Sequence, residues 1–355
     1  MSEKSKERIL SIKSSNGTYQ VRIGSGTANH LASEPTAIVV ADDFFGSRFQ
    51  DGRTVLLEAT EERKNLQSVE QVICSMRDLG LQRDGHVFAV GGGIVQDVAT
   101  LAASLYMRGV DWTYVPTTLM AMTDSCIGGK SSINAGQTKN LVGNIYPPKE
   151  VLIDTLFLET LSSAGIASGL AEAVKIAYCK GTETFDRFLD CAKDSSNIDF
   201  VAMLDLVLNA KKWFIEKDEF DKAERRLLNF GHTFGHALEV GSHYAIPHGV
   251  AVAIGVQASI EFVRTARPLA SSEEQLLAYT DGVIALAGLT DVLRSTMDNN
   301  AIVRAFASDK KHTSASFRLI LPTQPSSVEI VELPKTQASI DGVLNALDSA
   351  LRRHM

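Results

Sequence analysis

The sequence predicts an α/β domain over residues 1–160 followed by a mostly α-helical domain over residues 161–355. Short β-rich runs alternate with helical patterns as far as about residue 160, the βαβα order that yields a mainly parallel sheet covered by helices. From about residue 161 long helical stretches take over, with little strand signal until 316-SFRLILP-322. A chain of 355 residues is also long for one hydrophobic core. A Rossmann-like first domain, a helical second one and a cleft between them as the default site follow from these observations.

The strands read, in order, TYQVRIG, TAIVVAD, RTVLLEA, HVFAVGG and DWTYVP, with VLID closing the series. They are rich in β-branched and aromatic residues. Between them, 68-SVEQVICSMRDLG-80 and 94-IVQDVATLAASLYMRG-109 have helical spacing and end at glycine. Further on, 169-GLAEAVKIAYCKG-181 reads as a helix, and an apolar helix follows 243-HYAIPHG-249. The stretch from Arg225 to Glu239 reads as one helix. Arg225, Asn229, His232 and His236 form one stripe; Leu227, Phe230, Phe234 and Leu238 form the opposite one. No repeats, low-complexity tracts or long linkers interrupt the chain.

Bulk composition narrows the function classes. Hydrophobic content of 45% and 22% charged residues suit a soluble globular protein. A net charge of −7 argues against nucleic acid as a partner, while leaving room for a local basic pocket. The apolar runs stop short of a bilayer span, and the polar start MSEKSKER lacks the apolar core of a signal peptide. Cys74, Cys126, Cys179 and Cys191 show no C-x-x-C spacing, which points to buried, reduced thiols in a cytoplasmic protein.

Several motifs can carry chemistry, each beside a plainer reading. After the strand HVFAV, 91-GGGIVQD-97 opens a helix: three glycines let backbone N–H groups approach a pyrophosphate, or simply make a tight turn. Asp42 ends its strand where an acid reaches a cofactor ribose or caps the next turn. The segment 116–143 offers Asp124, Lys130, Lys139 and Asn140 on glycine-rich backbone, suited to an anionic substrate or to a solvated loop. Glu172 and Lys175 stand three apart on one helix face, as in a surface ion pair. Two glycines in 229-NFGHTFGHALE-239 each cost a helix about 1 kcal/mol, and they leave room for another backbone or a ligand beside the polar stripe. The alternative is a solvated face. One carboxylate and two histidines from separate segments, Glu172, His232 and His248, make the ligand set of an open catalytic zinc site, which spacing alone does not establish.

Taken together, the ordered series GGGxxxD, RGV, VPTTL, DSxxGGK, KN, GLAExxK, DE, RxLLNxGHTFGHxxE and HG resembles the 3-dehydroquinate synthase and wider sugar phosphate cyclase family over roughly residues 37–322. The resemblance implies a dehydroquinate synthase-like fold, an NAD-binding first domain, a second domain holding a divalent metal (Zn²⁺, or Co²⁺), and a homodimer. It implies metal ligands Glu172, His232 and His248. Substrate contacts would be Arg108, Asp124, Lys130, Asn140, Lys175, Lys211, Arg225, Asn229 and His236, with Lys310 or Lys311. Cofactor contacts would be Asp42, Glu61, Lys64, Gly92, Gly93, Asp97, Thr117, Thr118 and Lys139. The family's chemistry removes a hydride from a phosphorylated seven-carbon sugar, eliminates phosphate, returns the hydride, opens the ring and closes a carbocycle by aldol addition. For dehydroquinate synthase the substrate is 3-deoxy-arabino-heptulosonate 7-phosphate. Arg225 would hold phosphate oxygens through its planar fork.

The sequence departs from the family pattern at Gln96, where glycine is usual, at Val250, in 162-SSAGIAS-168 and in INAGQTKN. Gln96 reads as a tolerated exchange. Two other readings stay open: a cyclase acting on sedoheptulose 7-phosphate or an amino analogue, and an NAD-dependent polyol or glycerol dehydrogenase of the same fold.

Overall fold

The computed structural model describes residues 7–29, 31, 36–49, 52–136, 138–192, 198–295, 297–324 and 326–354. The first six residues of the polar start, and Gln137 within INAGQTKN, lie outside the described residues. Backbone contacts divide the chain into two compact units, Met1–Thr160 and Leu161–Met355.

The first unit contains strands β1 (Arg8–Ser14), β2 (Gly17–Gly24), β3 (Ile38–Asp42) and β4 (Thr54–Leu57), helix α1 (Leu66–Asp78), β5 (His86–Gly91), α2 (Gly93–Leu105), β6 (Asp111–Pro116), β7 (Ile133–Ala135), β8 (Thr138–Val142) and β9 (Glu150–Asp154). Among the described residues, seven strands form one sheet in the order β1-β2-β9-β6-β5-β3-β4. All its pairings are parallel except β1 with β2. β3, β5 and β6 are adjacent and parallel, so Asp42, the glycine turn after β5 and Thr117 after β6 share one end of the sheet. That end, where strands give way to helices, is where open α/β sheets bind ligands.

The second unit contains α3 (Ser163–Lys180), α4 (Thr182–Ala192), α5 (Phe200–Lys217), α6 (His232–Gly241), α7 (His248–Arg264), α8 (Ser271–Ala287), α9 (Thr290–Ser295), α10 (Asn299–Ala307), a hairpin of β10 (Ser316–Gln324) and β11 (Ser327–Pro334), and α11 (Gln337–Arg352). Gly249 through Glu261 of α7 are all buried, as expected of a helix apolar on every side. It forms the centre of this unit, packed against α3, α6, α8, α11 and β10.

Five sequence expectations need correction. β1 was absent from the reading, although Leu10 and Ile12 point inward while their neighbours face solvent, the alternation of an edge strand. β11 was missed too, because only Val328 among its positions is buried and no buried face alternates along it. The 116–143 segment is not a loop: it holds a π-helical turn at Ala121–Ser125 and the β7–β8 hairpin. And 225–239 is not one helix. A 3₁₀ turn covers Glu224–Asn229, Gly231 adopts φ 77°, and α6 starts afresh at His232. The cysteines are unbridged, but only Cys126 is buried; the other three are part-exposed.

Candidate functional site

The β5–α2 turn is built by steric demand on its glycines. A Cβ on Gly91 would lie 2.5 Å from Val95 Cγ2, and one on Gly92 would lie 3.0 Å from Thr118 Cγ2, whereas one on Gly93 would meet nothing within 4 Å. Gly91 and Gly92 therefore pack the turn, and Gly93 leaves open space at the start of α2. Thr117 N–H donates to Gly91 O (3.0 Å), tying the β6 end to the turn. Thr118 Oγ1 accepts from Ala121 N–H (3.2 Å) and opens the π-helical turn carrying Asp124.

Beside this turn lies a network of charged and amide groups. Lys64 Nζ pairs with Asp97 Oδ2 at 2.7 Å and donates to Asn140 Oδ1 at 2.8 Å. Asp97 Oδ1 accepts from Ser132 N–H (2.8 Å). Burial pushes the Asp97 carboxyl above its usual range, and Lys64 opposes that shift. Glu61 Oε1 accepts from Asn134 Nδ2 (2.8 Å) and faces Lys139 Nζ at 3.6 Å. Asn134 Oδ1 in turn holds the N–H of Asn140, which sits at φ 54°. Glu61, Lys64, Asp97, Lys139 and Asn140 thus meet, joined by Asn134 and Ser132, which the sequence reading left out.

Other residues of this unit stand apart from the network. Asp42 caps the following 3₁₀ turn by accepting from Phe44 N–H (3.1 Å), and burial raises its carboxyl above the usual range. Lys130 is half-buried and pairs in an isolated bridge with Ile145, next to Gly129 at φ 61°. Arg108 is exposed on a turn where Met107 (φ 48°) and Arg108 (φ 69°) are both left-handed, a strained arrangement for two non-glycine residues. Gln96 is more than a tolerated exchange. It is buried, its Nε2 donates to Ser125 O (2.8 Å), and its Oε1 accepts from Ser125 Oγ (2.5 Å). The clamp fixes the turn carrying Asp124 to the helix that follows the glycine turn.

In the second unit Glu172, His232, His236 and His248 converge. Glu172, on α3, is only 1% exposed. Its Oε2 accepts from Lys175 Nζ (2.5 Å), so the pair is buried rather than a surface bridge. Its Oε1 is buried without a hydrogen-bond partner among the described residues. That oxygen faces His232 Nε2 at 3.5 Å and His248 Nε2 at 3.7 Å. The His232 Nδ1–H donates to Phe230 O and the His248 Nδ1–H to Glu239 Oε2, each at 3.2 Å. A carbonyl or carboxylate only accepts, so in the neutral form of each ring Nε2 carries the lone pair.

Three lone-pair donors thus point at one another in a buried place, which is unfavourable unless a cation lies among them. Ligands of a tetrahedral zinc at about 2.0–2.1 Å are about 3.3 Å apart, close to the spacing seen here. The residues fit a divalent metal. Burial, then the Lys175 charge and neighbouring imidazoles, hold His232 well below the usual histidine pKa. Burial, then Lys311, takes His236 to about 4, so both rings are neutral at pH 7. For His248 burial acts downward, but the Glu239 carboxylate outweighs it and raises the pKa.

Lys175 and Lys311 act on this cluster, and further basic groups lie on elements that pack against α3. Lys175 and Lys211 are buried on α3 and α5. Arg225 is buried in the 3₁₀ turn, its Nη1 donating to Glu219 O (2.7 Å). Asp218 anchors that turn by accepting from Lys222 N–H (2.9 Å), Ala223 N–H (2.7 Å) and Arg225 N–H (3.2 Å). Asn229 Nδ2 donates to Arg226 O (3.1 Å) and lines a pocket of about 280 Å³ with Thr233, Arg226, Lys310, Lys311 and Arg318. Lys310 is exposed; Lys311 pairs with Asp309 and is the lysine whose charge reaches His232 and His236. Glu239 and Asp218 stand in the motifs GHTFGHxxE and DE but were given no role from sequence. Glu239 is three residues after His236 and seven after His232, a same-face spacing that could have flagged it.

A nucleotide-type turn on a parallel sheet in one unit and a Glu–His metal constellation in a helical unit together define a class of cofactor- and metal-dependent enzymes. Family models sharpen this: the description "3-dehydroquinate synthase N-terminal" matches residues 54–168, and "3-dehydroquinate synthase C-terminal" matches residues 169–312. A 3-dehydroquinate synthase of Picosynechococcus sp. is 35% identical, covering 84% of this chain and 81% of that one. One of Alkaliphilus metalliredigens is 31% identical, covering 91% and 95%. The chain belongs to the 3-dehydroquinate synthase family. Among solved structures, a 2-epi-5-epi-valiolone synthase from Streptomyces hygroscopicus with NAD⁺ and Zn²⁺ bound is similar with a TM-score of 0.75 at 28% identity, covering 93% of this chain and 97% of that one. A 2-deoxy-scyllo-inosose synthase shares the fold with a TM-score of 0.80 at 22% identity, covering 98% and 100%.

Proposed function

We propose that this chain converts 3-deoxy-arabino-heptulosonate 7-phosphate to 3-dehydroquinate with release of phosphate, using NAD and a divalent metal. The observation that carries the metal-dependent reading is the buried, partnerless Glu172 Oε1 facing the Nε2 atoms of His232 and His248. Those three residues would hold the ion. When bound, NAD supplies reversible hydride transfer and the ion a fixed positive charge for substrate oxygens.

The chain's own groups do the remaining work. The N–H groups opening α2, with open space at Gly93, suit a pyrophosphate, while Glu61, Lys64, Asp97, Thr117, Thr118 and Lys139 orient the cofactor, with Asp42 at the sheet end. Lys130, Asn140, Lys175, Lys211, Arg225, Asn229 and Lys311 supply donors for two anionic groups, carboxylate and phosphate. Asp124 and Arg108 join them as substrate contacts. His236, held neutral, is able to accept a hydrogen bond from a substrate hydroxyl. No dedicated base is needed, because the departing phosphate can take the proton. Four unbridged cysteines favour a cytoplasmic setting, and the family resemblance favours a homodimer. No helix among the described residues is long and apolar enough to cross a membrane.

A second cyclase reading, with sedoheptulose 7-phosphate as substrate, draws on the 28% identity to the valiolone synthase. Incubation with NAD⁺, Zn²⁺ or Co²⁺ and each heptulose phosphate separates the readings. Phosphate release without net NADH, and 3-dehydroquinate as the product, is the expected result. A different carbocycle would favour the second cyclase, and NADH stoichiometric with product would favour a dehydrogenase.

A further inference from the structure

The donors around Glu172 are not held equally. The Glu172 side chain is 1% exposed and the His232 side chain 13%, whereas that of His248 is 32% exposed. His248 is the first residue of α7, as His232 is of α6, so the difference lies in what holds each ring. His232 has its Nδ1–H fixed by a main-chain carbonyl, Phe230 O, which side-chain substitution leaves in place. The corresponding partner of His248 is a side chain, Glu239 Oε2, at 3.2 Å, and it comes from α6, the helix that carries His232 and His236.

We propose that Glu239 is the positioning residue that makes His248 a metal ligand, by fixing its ring orientation and by placing the proton on Nδ1. With that proton held, Nε2 presents its lone pair toward Glu172 Oε1, 3.7 Å away. A carboxylate in this role also makes the imidazole a stronger donor, as carboxylate–histidine pairs do around bound metals. Because Glu239 lies on α6 and His248 on α7, the contact also sets the spacing of the donors across that helix pair. The inference rests on the metal reading above and goes beyond it by assigning a residue outside the ligand set.

The test is metal affinity rather than turnover. Zn²⁺ and Co²⁺ affinity would be measured by chelator competition on the full chain, and the cobalt absorption spectrum would report the coordination. Glu239→Ala is expected to lower affinity about 10–100-fold and to alter the cobalt spectrum. Glu239→Gln, which keeps an acceptor oxygen but loses the charge, is expected to recover part of the loss while staying roughly threefold or more weaker than the unaltered chain. A purely structural role would lower the melting temperature without changing the cobalt spectrum. Unaltered affinity and spectrum in folded Glu239→Ala would overturn the assignment; should that variant not fold, the same result in Glu239→Gln would do so. Failure of the unaltered chain to bind either ion would overturn the metal reading itself, a distinguishable outcome.

Discussion

The two oxygens of Glu172 have separate tasks: Oε2 takes the Lys175 ammonium and Oε1 faces two imidazoles. Glu172→Gln should therefore remove bound metal and also leave Lys175 buried without its carboxylate, destabilising the chain by about 3 kcal/mol or more. Zinc bound at full stoichiometry in that variant would remove Glu172 from the ligand set. Gln96 makes a comparable point in the other unit. Gln96→Gly forfeits two hydrogen bonds to Ser125 and introduces glycine into a helix, together a loss of about 2–3 kcal/mol in denaturant unfolding. An unchanged unfolding midpoint would show that the clamp contributes nothing. Asp218 adds a pH dependence. Burial acts upward on its carboxyl, but three backbone N–H donors outweigh it and hold the pKa below the ordinary 3.8. Its contribution is therefore fully present above that ordinary value and is lost as pH falls through the lowered one. Acidification below about pH 4 should loosen the turn that holds Arg225, and Asp218→Asn should remove that part of the acid sensitivity.

At the scale of helices, the glycines of the GHTFGH and HG motifs act in packing. A Cβ on Gly235 would lie 3.0 Å from Ala251 O, and one on Gly231 2.7 Å from Val252 O, both on α7. A Cβ on Gly249 would come within 2.1 Å of Ser168 O on α3, one turn before Glu172. These glycines let α3, α6 and α7 approach closely enough for their donors to meet. Of the two occupants the sequence left open beside Gly231 and Gly235, another backbone or a ligand, the structure shows the backbone of α7. Gly235→Ala gains helix propensity of about 1 kcal/mol, yet should lower metal affinity by pushing α6 from α7. Gly249→Ala should be the more damaging, because its methyl meets backbone at a shorter distance. Melting temperature and zinc content of the pair test this ordering. A stabilised, metal-replete Gly235→Ala would refute it.

For the molecule as a whole, an ion that binds only the folded chain raises stability by mass action, about 2.7 kcal/mol at a hundredfold excess over Kd. Chelation should lower the melting temperature of the unaltered chain, and zinc should restore it. In His232→Ala the chelator should have no effect. In Lys64→Ala, whose residue belongs to the other unit, the chelator effect should persist while NAD affinity falls. Persistence of the full chelator shift in His232→Ala would place the ion elsewhere. Sedimentation at micromolar concentration tests the proposed homodimer.

Much of this was legible locally. Strands β2 to β6 and helices α1, α2 and α7 follow from periodicity, which is a property of neighbouring residues. The Glu172, His232 and His248 types were visible in motifs whose residue kinds suit a metal. What the sequence did not disclose depends on partners far along the chain or on backbone geometry. Gln96 and Ser125 are 29 residues apart, and Lys64 and Asn140 are 76 apart; no local pattern announces either pair. The helix break at Gly231 and the backbone contacts beneath Gly235 and Gly249 likewise belong to the packing of three helices. Sequence by itself determined most of the strongly periodic elements and which chemical groups they carry. Tertiary structure decided which of those groups meet, because a buried oxygen, an ion pair or a forbidden Cβ is defined by atoms that only folding brings within a few ångströms.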